Sequence, residues 1–184
     1  MAKPSEVIIL VEDNRQQQII RRYLRRVGLD THAMRFELPS SGSGEQWVRE
    51  RFPVEVAAYR NRRARAETKL IIIIDADNLT LAERLAQLDQ KLRDAASELI
   101  SAGEQVAKLI PRRNIETWIL CLNAAEVDEE TDYKRTRHDW SDLIPPAAEA
   151  LYAWSRPNAR VPDRCIPSLQ HALGELRRLD FSEL

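Results

Sequence analysis

The sequence has few cysteines, glycines and aromatic residues. Its 184 residues include two cysteines, five glycines and 6% aromatic side chains. Cys121 and Cys165 provide neither a disulfide framework nor ligands at metal-binding spacing, and Cys121 lies in an apolar helical pattern typical of core packing. The composition therefore excludes a fold that depends on disulfides or on cysteine-bound metal.

Long apolar runs and a net charge of one sign are also missing. No apolar run is long enough to cross a membrane, and the first residues, M-A-K-P-S-E, lack the order of a signal peptide. We therefore expect a cytoplasmic protein with no membrane partner. The formal net charge is -1 although 31% of the residues are charged, so only the local distribution of charge can indicate partners.

The most informative stretch runs from Lys69 to Thr80 and reads K-L-I-I-I-I-D-A-D-N-L-T. Its β-branched run is typical of a short strand buried on both faces. On an extended chain Asp75 and Asp77 point the same way, and a hard cation such as Mg²⁺ would offset their repulsion. The same letters also suit an Asp-rich turn in which Asn78 or Thr80 caps a helix.

The chain up to Ala124 alternates between strand-like and helix-like patterns. We expect further strands at Val7 to Val11, at Met34 to Leu38 near a sheet edge, and at Gln105 to Ile110. The helix signals predict helices from Asn14 to Gly28, from Glu45 to about Arg65 with an interruption near Pro53, from Thr80 to Gly103, and from Asn114 to Leu122. The loop from Pro39 to Glu45 is either a tight turn or a phosphate-approaching loop.

This alternation predicts an α/β fold, with a mainly parallel four-stranded sheet and helices on both faces, in a Rossmann-like layer arrangement. We assign residues 1–124 to this domain and 125–184 to a short, mostly helical extension packed on it. Sites in such sheets form at the carboxyl ends of the strands. Four acids from distant stretches are expected to meet there: Glu12, Asp75, Asp77 and Glu116.

A basic run precedes the Asp75 strand, in the segment Y-R-N-R-R-A-R-A-E-T-K. Such runs are often only solubilising, but this one contains little acid, so it also suits contact with nucleic-acid phosphates. The residues concerned are Arg60, Arg62, Arg63, Arg65 and Lys69.

The acidic motifs resemble those of the TOPRIM (topoisomerase–primase) domain. That family has a glutamate at the end of its first strand and a D-x-D at the end of a later one, here Val11-Glu12 and I-I-D-A-D. The segment R-N-I-E-T-W, from Arg113 to Trp118, looks like the R-x-I-E-x-W of small stand-alone bacterial TOPRIM-like proteins. The resemblance covers about Val7 to Leu122, and it departs at Asp13, where the family has glycine.

The resemblance implies a nuclease or phosphodiesterase that depends on Mg²⁺ or Mn²⁺, acts on DNA or RNA and serves in phage defence. It implies that Glu12, Asp75, Asp77 and Glu116 are metal ligands and catalytic residues. Lys108, Arg112 and Arg113 would contact the scissile or a neighbouring phosphate. The chain has no ATPase motif, so energy coupling would need a separate ATPase subunit. We also expect that the protein can form a homo-oligomer.

Two other functions fit parts of the same pattern. The letters I-L-V-E-D-N also begin response-regulator receiver domains, in which Asp75 would be the phosphoacceptor and Lys108 its lysine partner, but Glu116 would have no role. A catalytically inactive TOPRIM-like subunit that binds nucleic acid or regulates a larger complex is the other alternative.

Overall fold

A computed structural model describes residues 5–181 of the chain. Residues 1–4 and 182–184 lie outside this description, so most of the amino-terminal segment weighed as a signal peptide is not part of it. The elements are β1 Ser5–Leu10, α1 Asn14–Val27, a 3-10 turn Thr31–Ala33, β2 Met34–Glu37, α2 Gly44–Arg62, β3 Glu67–Ile73, α3 Leu81–Asp94, β4 Val106–Leu109, α4 Ile115–Leu122, α5 Ile144–Ser155 and α6 Pro167–Arg178.

The four strands form one parallel sheet in the order β2-β1-β3-β4. Val7 pairs with Met34 on one side and with Lys69 on the other, and Leu70 pairs with Val106. Parallel neighbours need crossover connections, which the helices between the strands supply. The predicted α/β class and the edge position of β2 are both confirmed.

Helices cover both faces of the sheet, as predicted. Because side chains alternate along a strand, Ile71 and Ile72 point to opposite faces and enter different cores. Ile72 packs with Phe52 of α2 and with α3, whereas Ile71 belongs to the core that α1, α4, α5 and α6 complete. Both isoleucines are fully buried.

The described residues beyond Ala124 contribute to the core that contains Ile71. Trp140, Leu151 of α5 and Leu173 of α6 are buried in the same cluster as Ile19 of α1. Across the described range, no helix combines the length and apolar character that crossing a bilayer requires.

Several helix boundaries differ from the sequence expectations, each for a local reason. Helix α1 begins at Asn14, as predicted, and Asp13 caps it, because the Asp13 carboxylate accepts the N–H groups of Arg15 and Gln16. The second helix continues through Pro53 and ends at Arg62, so Pro53 does not interrupt it.

The carboxyl end of α3 also differs from the prediction, which extended this helix to Gly103. This helix ends at Asp94, because Ala96 takes a left-handed φ of 51° and the N–H of Ser97 returns to the Leu92 carbonyl. The segment up to Gly103 is therefore a loop, and Leu99 is 41% exposed.

Candidate active site

The carboxyl edge of the sheet gathers acids from three parts of the chain. Glu12 lies two residues after β1, Asp75 lies two residues after β3, and Glu116 lies in the first turn of α4. Asp75 and Glu116 are both buried, and the charges of Glu12, Glu116 and Asp77 all act on Asp75. The structure therefore brings the four predicted acids into one electrostatic cluster, which we call the acid site.

Asp75 and Glu12 are linked directly and through a buried glutamine. Glu12 Oε1 accepts the backbone N–H of Asp75 at 2.5 Å. Gln16 donates from Nε2 to Asp75 Oδ1 at 2.9 Å, and its Oε1 accepts the Glu12 N–H at 2.8 Å. Gln16 is fully buried. Gln16 therefore orients the Asp75 carboxylate and holds the backbone of Glu12. Its sequence signal is a polar residue one turn before Ile19 and Ile20 on the buried stripe of α1.

Glu116 has one satisfied and one unsatisfied oxygen. Arg15 donates from Nη1 to Glu116 Oε1, and its guanidinium lies 5.7 Å from the ring centre of buried Trp140. Glu116 is 1% exposed, and its Oε2 has no hydrogen-bond partner among residues 5–181. A buried carboxylate oxygen without a donor is costly, so this atom is suited to a ligand that brings positive charge.

The two aspartates of the D-x-D do not point the same way, contrary to the expectation from an extended chain. Asp77 adopts a left-handed φ of 52°, and its N–H donates to the Arg113 carbonyl at 3.0 Å. This turn leaves the Asp77 side chain 59% exposed while Asp75 remains buried. The Asp75 carboxylate therefore lies in the interior, whereas the Asp77 carboxylate lies on the solvent side of the sheet edge.

The acid site holds its protons more tightly than ordinary carboxyl groups do. Burial raises the pKa of Glu12 from 4.5 to about 8, and the negative charges of Asp77 and Asp13 add to the effect. Burial raises the pKa of Asp75 well above its usual value, and repulsion from Glu12 and Glu116 adds to it. Burial is also the main reason that the pKa values of Asp77 and Glu116 are raised.

A buried arginine on α3 offsets part of this negative charge. Arg84 is 3% exposed, pairs with Glu45 of α2 and lies 3.6 Å from Asp77 Oδ2. Its Nη2 also lies 3.4 Å from the Ala76 carbonyl. No local pattern distinguishes Arg84 from the other polar residues on the surface of this amphipathic helix.

The amino end of α2 packs directly on Glu12. A Cβ atom at Gly44 would come within 2.7 Å of the Glu12 carbonyl oxygen and 2.8 Å of its Cβ. Ser43 caps this helix, with its Oγ accepting the Gln46 N–H at 3.3 Å. In the Pro39 to Glu45 loop, Gly44 therefore allows a close approach to the acid site.

Carboxylate oxygens are the ligands that Mg²⁺ and Mn²⁺ prefer, and Glu116 Oε2 is an orphaned acceptor, so the donor chemistry fits such a cation. Within the described part of the chain, however, no group of three or more Asp, Glu, His or Cys side chains is arranged to hold a metal ion. Protein donors occupy Glu12 Oε1, Asp75 Oδ1 and Glu116 Oε1. Binding would therefore require some of these contacts to be exchanged for metal.

Lys108 does not join the acids. It lies within β4, on the sheet face covered by α3, and its Nζ donates to Asp89 Oδ1 at 3.1 Å. Arg112 and Arg113 remain at the carboxyl edge: Arg112 donates to the Asp77 carbonyl at 3.0 Å, and Arg113 donates to Asn78 Oδ1 at 2.6 Å.

The predicted basic patch lies at the opposite edge of the sheet. Arg60 and Arg62 lie in the last turn of α2, and Arg63 and Arg65 follow it just before β3 begins. The length of β3, about 20 Å, therefore separates these arginines from the acids. Arg60 is held by Glu104 at 2.7 and 3.0 Å and also donates to Ser97. Lys69 is buried, at 2% exposure. Arg62 and Arg63 make longer ion pairs, of 3.5 and 3.4 Å.

The part of the chain beyond Ala124 also contributes to this edge. Glu130 pairs with Arg112, and Asp132 Oδ1 accepts Asn114 Nδ2 at 2.7 Å. The backbone N–H of Lys134 donates to Asp132 Oδ1 at 3.0 Å and is the main reason that the pKa of Asp132 is lowered. The charge of the exposed Lys134 side chain opposes the raised pKa values of Asp77 and Glu116. Sequence reasoning missed these residues because the segment has no periodicity.

Comparisons of the chain with protein-family models, with curated proteins and with solved structures find no match. The resemblance to TOPRIM domains therefore stays a prediction from the motifs.

Proposed function

We propose that the protein is a Mg²⁺- or Mn²⁺-dependent phosphodiesterase that cleaves nucleic acid at the acid site. The observation that carries the proposal is the buried Glu116 Oε2, which has no hydrogen-bond partner in the described part of the chain, together with three further acids whose pKa values are raised. Clustered buried carboxylates with raised pKa values are typical of functional sites, and this cluster lies where α/β sheets bind ligands.

Glu12, Asp75, Asp77 and Glu116 would hold the cation. Bound there, the cation would activate water and neutralise charge on the phosphate oxygens. Glu12 would serve either as a ligand shared with Asp75 and Asp77 or as the general base that accepts a proton from the attacking water. Arg113, which is partly exposed at the same edge, would contact a phosphate oxygen of the substrate.

The basic patch at the amino edge would contact phosphates that are remote from the cleaved bond. Arg62, Arg63 and Arg65 suit this role better than Arg60, since Arg60 is already held by Glu104. The TOPRIM resemblance extends the proposal to phage defence in the cytoplasm with a separate ATPase subunit.

Incubation with labelled DNA and RNA panels, in Mg²⁺ or Mn²⁺ and in EDTA, tests the proposal. We expect cleavage only with metal, and at least a tenfold loss in Glu116→Gln, equivalent to about 1.4 kcal/mol. Glu149→Gln is the matched control, because Glu149 is 61% exposed and pairs with Arg26 on the surface, away from the acid site. Cleavage that persists in EDTA, or that survives unchanged in Glu116→Gln, contradicts the proposal. Metal-independent binding without cleavage supports the inactive alternative.

The observed strand order, β2-β1-β3-β4, also occurs in doubly wound receiver domains, so it fits the receiver-like alternative as well. In that fold Lys108 would face Asp75, but its ammonium is bound to Asp89 on the α3 face. Exposure to acetyl phosphate followed by mass spectrometry separates the two functions. We expect Asp75 to remain unmodified, and phosphorylation there would favour the receiver.

A further inference from the structure

A polar cleft opens beside the exposed half of the acid site. It encloses about 370 Å³, within the size range of small-ligand sites, which begins near 300 Å³. The turn after β3, the residues before α4, and the segment beyond Ala124 all contribute to its walls. The lining residues are Asp77, Asn78, Arg113, Asn114, Asp132 and Lys134.

We propose that this cleft binds the phosphorylated ribose of a ribonucleotide, with Lys134 and Arg113 on the phosphate and Asp132 on a ribose hydroxyl. The role of the cleft rests on the proposed function, since it would position an RNA strand against the acid site. Binding of the ribonucleotide unit itself depends only on the cleft.

Two cations face the cleft with capacity for an anion. Lys134 is exposed and forms no salt bridge within residues 5–181. Arg113 uses Nη1 for a neutral partner, Asn78 Oδ1, so its charge is not cancelled by that contact. Lys and Arg are the usual partners of phosphate, and Arg113 retains further N–H donors.

Two carboxylates share the cleft with these cations, so the lining carries no excess of positive charge. Bare phosphate would meet repulsion from Asp77 and Asp132. A ribose phosphate suits the mixed lining better, because its hydroxyls donate hydrogen bonds while its phosphate accepts them. Asp132 uses Oδ1 for Asn114 and for the Lys134 N–H, and among the described residues its Oδ2 accepts nothing.

The walls of the cleft are fixed before any ligand arrives. Asp77 and Arg113 both have left-handed φ values, 52° and 67°, and a backbone hydrogen bond of 3.0 Å joins them. Non-glycine residues in this conformation persist only where the surrounding structure holds them, a feature concentrated at binding sites.

The lining also predicts which part of the nucleotide is read. None of its six residues is aromatic or apolar, so the cleft offers no platform on which a base could stack. The 2′-hydroxyl is the group that distinguishes RNA from DNA, and Asp132 Oδ2, which accepts nothing among the described residues, would be its acceptor. We expect selection for ribose with little selection for the base.

Calorimetric titration of the whole chain in EDTA, with AMP, UMP and dAMP, tests the proposal without metal or cleavage. We expect AMP and UMP to bind alike and dAMP about tenfold more weakly, as for a lost hydrogen bond to a charged group. Lys134→Gln should weaken the binding of all three nucleotides by about tenfold. Asp132→Asn, which keeps an oxygen for Asn114, should bring AMP down to the level of dAMP. Arg135→Gln is the control, since Arg135 is the exposed neighbour of Lys134 and does not line the cleft.

Equal affinity for AMP and dAMP in the wild type overturns the ribose assignment. Undiminished binding by Lys134→Gln, with a wild-type melting temperature, overturns the assignment of the cleft. Either result leaves metal-dependent cleavage at the acid site standing. Conversely, ribose-selective binding without any cleavage would retain the cleft and reject the proposed function.

Discussion

Removing the charge of Glu12 should make the metal-free protein more stable at alkaline pH. Burial raises the pKa of Glu12 from 4.5 to about 8, so the folded state holds a proton that the unfolded chain releases. When a carboxyl group has a raised pKa in the folded state, its contribution to stability is fully present below the pKa of the unfolded chain. This contribution is lost as the pH rises through the pKa of the folded state. Wild-type stability in EDTA should therefore fall between pH 4.5 and about 8.

The size of the fall follows from the proton linkage. One extra proton on the folded state is worth about 1.4 kcal/mol per pH unit, so the whole window contributes at most on the order of 5 kcal/mol. That is a large share of the roughly 5–15 kcal/mol that stabilises an ordinary domain. The carboxyl groups of Glu104 and Asp132 have lowered pKa values and titrate below this window, so they do not oppose the trend. The pKa of the Cys121 thiol is lowered to about 6 and its contribution runs the other way, so the contribution of Glu12 is read from the difference between wild type and a Glu12 variant, in which Cys121 is common to both.

Glu12→Gln isolates the effect, because a glutamine Oε1 can still accept the Asp75 N–H. Urea unfolding in EDTA should give similar stabilities for wild type and variant near pH 4.5, and a more stable variant near pH 8. Glu149→Gln should follow the wild type throughout. Mg²⁺ should stabilise the wild type most at pH 8, since the cation competes with protons for the same oxygens. Parallel pH curves for wild type and Glu12→Gln would refute the reasoning.

Two further changes test the packing around the acid site and the basic patch. Gly44→Ala should cost about 1–3 kcal/mol, because the new Cβ would press on the backbone of Glu12; a variant as stable as wild type in urea would contradict this contact. Arg60→Gln should cost about 2 kcal/mol through loss of its paired carboxylate contacts, whereas Arg65→Gln should stay within about 0.5 kcal/mol. Equal stabilities for these two arginine variants would show that Arg60 is only a surface charge.

The sequence was sufficient for the sheet because each strand carries its own pattern. Uninterrupted apolar runs marked β1 and β3 as central, and the alternation around Phe36 marked β2 as an edge strand. The gathering of acids at the carboxyl edge followed from the parallel topology, since Glu12, Asp75 and Glu116 each come shortly after a strand. These inferences needed only local periodicity and one rule of topology.

The partners of the acids could not be read in the same way. Gln16 and Asp75 are 59 residues apart and Arg15 and Glu116 are 101 apart, so no sequence window contains either pair. The turn at Asp77 arises from a hydrogen bond to the Arg113 carbonyl, a contact that no local pattern announces. Long-range packing, rather than propensity, determines this part of the site.

For the basic patch, closeness in sequence suggested a shared surface that the structure does not have. Its residues are dense in sequence, which suggested one surface, but Lys69 is buried in β3 and Arg60 anchors the loop after α3. The direction of α2 places the remaining arginines at the amino edge, away from the acids. Charge density along the chain therefore did not predict which charges would share a site.

Direct measurement of Mn²⁺ binding, by calorimetry with electron paramagnetic resonance, tests the central claim that the acid site holds a divalent cation. The wild type and Glu149→Gln should bind one or two ions, and the double variant Asp75→Asn with Asp77→Asn should bind none while remaining folded. In EDTA that variant should be at least as stable as the wild type near pH 8, because removing two charges relieves the repulsion at the edge. Absence of binding to the wild type at millimolar Mn²⁺, or undiminished binding to the double variant, would contradict the account.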